Sequence, residues 1–107
     1  MPQARFEAIR SLGFAGISAV YAAVGAVTTT KVRAFVISNL TQGDMFFSTD
    51  GTNDHFVVSA GSFVLIDVTA NMLSHGEENF FVPIGTQFYC KQITAPVEKA
   101  VYVSFLY

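Results

Sequence analysis

Two carboxylates, an amide, an imidazole and three hydroxyls fall within the octapeptide Ser48-Thr49-Asp50-Gly51-Thr52-Asn53-Asp54-His55, between two apolar runs. Asp50, Asn53 and Asp54 bring oxygen ligands of the kind a hard cation such as calcium takes from loops, so they are the metal candidates of the chain. Their spacing departs from the helix-flanked calcium loop, with no ligand at alternating positions and no closing Glu. The competing reading is a hairpin tip, since Asp and Asn bond their own backbone in turns and Gly51 supplies a positive φ. We prefer the hairpin tip; an exposed contact loop is the remaining alternative.

Other chemistry is sparse. His75 sits in a second polar connection, Asn71-Met72-Leu73-Ser74-His75-Gly76-Glu77-Glu78, and a pairing of His55 or His75 with a carboxylate could do acid–base work, but no spacing argues for it. The serines lie in no nucleophile-elbow pattern, and Gly13-Phe14-Ala15-Gly16 is far from a phosphate-binding fingerprint. Cys90 is alone, flanked by Phe88, Tyr89 and Lys91, which excludes an intrachain disulfide and a cysteine-based metal site and predicts a buried, inert thiol. No catalytic residue and no cofactor is expected.

The elements that position these residues read as β-structure. Residues 2–12 form a short helix or an extended arm: Pro2 suits a first helical position, and Phe6, Ile9 and Leu12 recur at spacing three before Gly13. Strands are predicted over residues 17–24, 31–39, 44–48, 55–58, 62–68, 78–82, 86–93 and 99–106. In 62–68, Val64, Ile66 and Val68 share one face, with Phe63, Leu65 and Asp67 on the other. Thr41-Gln42-Gly43, Asp50-Gly51, Ala60-Gly61, Ile84-Gly85 and Ala95-Pro96 punctuate these runs. About eight short strands make an all-β single domain, a sandwich or a barrel-like closure, and a β-sandwich with a jelly-roll topology is preferred. Residues 1–30 are the arm or first strand, and 31–107 the body.

Composition limits the partners. At 107 residues the chain is one domain; 51% of it is hydrophobic and only 13% charged, so some apolar surface should be covered by other chains. A net charge of -2 with six scattered basic residues offers no track for a phosphate backbone, so direct nucleic-acid binding is not expected. No run reaches the roughly 18 apolar residues of a membrane span. The apolar stretch 12–27 contains Gly13, Gly16, Ser18 and Gly25 and lacks a basic flank, so it reads as part of the fold or as an assembly arm rather than as a signal peptide. Eleven Phe and four Tyr exceed what one small core obviously needs. Adjacent aromatics such as Phe46-Phe47 and Phe80-Phe81 point to opposite faces of a strand. Phe6, Ile9, Tyr21, Phe46, Phe80 and Tyr107 are the interface candidates.

The succession Arg5-Phe6-Glu7-Ala8-Ile9-Arg10-Ser11-Leu12, Ile17-Ser18-Ala19-Val20-Tyr21-Ala22-Ala23-Val24-Gly25, Ile37-Ser38-Asn39-Leu40-Thr41 and Phe47-Ser48-Thr49-Asp50-Gly51-Thr52-Asn53-Asp54-His55 resembles small virion-associated proteins of tailed bacteriophages. So do Ala60-Gly61-Ser62-Phe63-Val64-Leu65-Ile66-Asp67, Gly85-Thr86-Gln87-Phe88-Tyr89-Cys90-Lys91-Gln92 and Val101-Tyr102-Val103-Ser104. The resemblance covers most of the chain, and its weight lies in the order of the segments. It implies a non-enzymatic structural subunit present in many copies in the virion, after assembly in the bacterial host cytoplasm. Capsid decoration or cement on the major capsid protein is favoured over a head-to-tail connector, neck or tail role beside portal, neck or tail proteins, and self-association is expected. From another class, a small calcium- or glycan-binding β-module would use the Asp50 to His55 loop.

Overall fold

Side chains alternate across an extended strand, so a chain that alternates apolar residues over short runs must stack sheets to bury them. The computed structural model, which describes residues 5–67 and 82–107, does this with eight strands. They are β1 Arg10–Gly13, β2 Ala22–Ala23, β3 Ala34–Asn39, β4 Met45–Ser48, β5 Phe56–Val58, β6 Phe63–Asp67, β7 Tyr89–Gln92 and β8 Ala100–Leu106, with a 3₁₀ turn at Phe14–Gly16.

Two four-stranded sheets result, in the orders β1-β8-β3-β6 and β2-β7-β4-β5, antiparallel at each pairing. Strands one and eight pair, as do two and seven, three and six, and four and five. The chain is therefore one long antiparallel ribbon, rolled so that β3 also meets β8 and β4 also meets β7. This interleaving is that of a jelly roll, the preferred topology, although turn punctuation alone could not give the strand order. Its consequence for the polar octapeptide is direct: among the described residues, β4 to β5 is the one connection between consecutive strands that stays within a sheet, so residues 49–55 form the tip of the rolled ribbon.

The core lies between the sheets. Phe35 and Ile37 of β3 and Val101, Val103 and Phe105 of β8 face Met45 and Phe47 of β4, Val58 of β5 and Cys90 of β7. Phe88, just before β7, binds the halves together through ring contacts with Phe35 at 5.0 Å and Phe105 at 5.3 Å. Asn39, at the end of β3, is fully buried yet satisfied: its amide donates to the Gly43 and Val58 carbonyls, and its oxygen accepts from the Thr41 amide and hydroxyl. Gly43 is fixed by a separate contact, because a Cβ there would stand 2.1 Å from the Thr94 carbonyl oxygen.

Of the two readings of residues 2–12, the extended one holds over 5–12, because backbone bonds from Arg5 and Glu7 to Tyr107 and Phe105, followed by β1, pair this segment with β8. A helix of about eleven residues is marginal without docking, whereas a sheet edge supplies partners at once. Farther along, Ile17, Val24 and Thr28 are buried in the body of the same chain. The strand predicted at 17–24 shrinks to Ala22–Ala23. Of the strand predicted at 78–82, only Val82 is among the described residues, bridging to Val32; Phe80 and His75 lie outside them.

A one-residue bulge in the N-terminal strand has a chemical consequence. Phe6 is opposite Leu106 and Arg10 opposite Val103, so this strand uses one more residue than β8 over the same stretch. Residues three apart normally face opposite sides of a strand, and the bulge turns Glu7 and Arg10 to the same, inner side. Their side chains are 4% and 8% exposed and 2.7 Å apart. Arg10 also donates to the carbonyls of Ala8, Ala26 and Val27, while Glu7 accepts from the Thr29 and Thr30 amides and the Thr30 hydroxyl. Burial raises the Glu7 pKa, but the bonds from Thr30, Thr29 and Arg10 outweigh it and hold the carboxyl below its ordinary 4.5. The unfolded chain therefore takes up this proton first, so the contribution is complete above pH 4.5 and lost as pH falls through the lower folded value. In acid titrations of unfolding free energy, wild type should lose stability below pH 4.5, and Glu7→Gln, less stable at neutral pH, should show a shallower decline.

Candidate functional site

The tip of the ribbon is built by Asp50. Its Oδ1 accepts from the Thr52 and Asn53 amides, each at 2.8 Å, and from the Ser48 hydroxyl, and its Oδ2 accepts from the Asn53 side-chain amide. Ser48 Oγ in turn accepts from the Asp50 and Gly51 amides. Gly51 takes φ +77°, and a Cβ there would press on the Tyr89 ring at 3.4 Å. The bonds from Asn53 and Thr52 hold the Asp50 carboxyl well below the usual carboxylate range.

Asp54 faces other partners. It accepts from the Tyr21 hydroxyl and lies 3.2 Å from Lys91 Nζ, and the Tyr21 bond is the main cause of its lowered pKa. Burial and the same bond raise the pKa of Tyr21. The Lys91 ammonium stands over the rings of Tyr21, at 4.8 Å, and Phe46, at 5.5 Å. The structure thus divides the three metal candidates: Asp50 and Asn53 close the turn on each other, and Asp54 clamps it to the outer face of the second sheet. Among the described residues, no group of three or more His, Cys, Asp and Glu could hold a metal ion.

His55 opens the return strand. Its Nδ1 accepts from the Thr49 amide, and its Nε2 lies 3.9 Å from Asp50 Oδ2. The Thr49 hydroxyl also lies 3.2 Å from His55 Nδ1, while Ser48 is fully buried and bonded within the turn. Cys90 is also fully buried, and burial pushes its thiol up to about 12. A water-soluble maleimide should leave Cys90 unlabelled in the native protein for hours and label it within minutes in denaturant; rapid native labelling would contradict this burial.

Of the interface candidates, Phe6 and Ile9 are exposed, Tyr21, Phe46 and Tyr107 half-buried, and Phe80 outside the described residues. Tyr21 and Phe46 are brought together under Lys91, whereas Phe6 lies on the other sheet, beside Leu106. Sequence reasoning missed the Glu7–Arg10–Thr30 cluster. Spacing three looks helical there, and only the bulge makes it a strand-face pair. It also missed the Lys91 stack, for which the alternation of Tyr89 and Lys91 in β7 was the available signal. Comparison of the chain with family models, curated proteins and solved structures finds no match in any of the three.

Proposed function

We propose that this chain is a non-enzymatic structural subunit of a tailed-phage virion, a jelly roll that docks in many copies on a symmetric protein array. The observation that carries the reading is the apolar surface this fold leaves outside. Phe6, Ile9, Val20, Val57, Phe63 and Leu65 all stand exposed on a chain only 13% charged. Surface of that kind is characteristic of subunits covered by neighbours. The resemblance of the ordered segments to small virion-associated proteins supports the same reading, and many weak contacts gain strength through multivalency on an array.

Capsid decoration or cement, with the major capsid protein as partner, is favoured over a connector, neck or tail position. The test is quantitative mass spectrometry of purified virions of the phage that encodes the chain. Hundreds of copies per particle support decoration, and a dozen or fewer support a ring at the neck or tail. Absence from purified particles overturns both.

A further inference from the structure

We infer that the outer face of the β1-β8-β3-β6 sheet is a homotypic interface on which a second copy of this chain docks. The register sets the face row by row. Phe6, Leu106, Ala34 and Asp67 form one row; Ser104, Val36 and Leu65 the next; and Ser11, Tyr102, Ser38 and Phe63 the third. A solvent-facing sheet ordinarily alternates to polar residues on this side. Here Phe6 is 72%, Phe63 69% and Leu65 60% exposed, around an apolar groove lined by Ala34, Val36 and Leu106. The other sheet shows the contrast: its Phe46 is covered by the Lys91 ammonium, itself held by Asp54.

Charge selects the occupant. Within these three rows the one ionisable carboxylate is Asp67, at a corner. A two-fold pairing superposes a face on its own copy, so any central charge would meet its like; this face has none and is self-complementary. A partner with charge at the centre of its matching surface would find no counter-charge opposite it. Area sets the strength. Phe6 and Phe63 alone offer roughly 200–350 Å² of apolar surface, and with Leu65, Val36 and Leu106 the patch is large enough to mark a contact site. Two such faces make an interface at the small end of the specific range, about 1,200 Å² in total, which corresponds to weak, concentration-dependent dimers. This rests on the same exposed apolar surface as the virion reading and names a second copy as the occupant of this part of it, and it is tested on the purified chain, apart from any particle.

Sedimentation velocity of the purified chain from roughly 1 to 200 µM brackets the micromolar affinity expected of such an interface. Wild type should shift from monomer to dimer across this range. Leu65→Glu, which places like charges across the two-fold contact, should remain monomeric, while Val57→Glu on the other sheet should dimerise like wild type. Because Leu65 is exposed, its variant should keep the wild-type melting transition. Should it not, amide hydrogen exchange of wild type at low and high concentration replaces it, with extra protection at high concentration expected on β3, β6 and β8. A wild-type monomer throughout the range, or a dimer that Val57→Glu breaks and Leu65→Glu does not, would overturn the inference, as would exchange protection confined to β4, β5 and β7.

Discussion

A chain lacking residues 1–25 should show no cooperative unfolding transition. The deletion removes β1 from one sheet and β2 from the other, and takes Ile17 and Val24 out of the core. It also removes Arg10, whose guanidinium lies 5.1 Å from the Phe105 ring centroid and bonds the carbonyls of Ala26 and Val27. What remains is a β8 with one partner instead of two and an inner face opened to water on both sheets. A domain of this size has about 5–15 kcal/mol of net stability, which the loss of two strands and two buried core side chains exceeds. Circular dichroism during a thermal ramp reads the outcome. A sharp transition in the truncated chain would mean that the segment is a dispensable arm after all.

The second large effect lies at the join between the sheets. Phe88→Ala should cost about 3–5 kcal/mol, the range for emptying a buried aromatic site. Phe88 is 1% exposed and meets Phe35 edge-on at 65° and Phe105 at 57°, so its removal loses ring contacts to both β3 and β8. Phe63→Ala, the same change on the outer face, should stay within about 0.5 kcal/mol in the monomer. Urea unfolding with unchanged slope measures both; equal costs at the two positions would show that Phe88 does not join the sheets as described.

Much of the body was legible in the sequence. Val64 and Ile66 pack against the core while Phe63 and Leu65 stand outside, as strict alternation required, and Gly51, Gly61 and Gly85 all take positive φ at predicted turns. These are local signals, readable without knowing strand order. The N-terminal segment was legible only as a helix or an extended arm, because Phe6, Ile9 and Leu12 at spacing three mimic a helix. The partner that makes the segment a strand, β8, lies some ninety residues away. The tip loop was read correctly as a turn from Asp50-Gly51, but that Asp54 would leave the turn for Tyr21 and Lys91 depends on the rolling of the ribbon. Nothing in the local spacing of residues 48–55 encodes it.

On the proposed virion role, the protein acts through its apolar outer surface and the polar tip is structural. Copy number in purified virions, measured for wild type, Leu65→Glu and Asn53→Ala, tests this most directly. The prediction is that wild type and Asn53→Ala are incorporated equally and that Leu65→Glu is reduced several-fold. Full incorporation of Leu65→Glu together with loss of Asn53→Ala would contradict it and return the function to the tip.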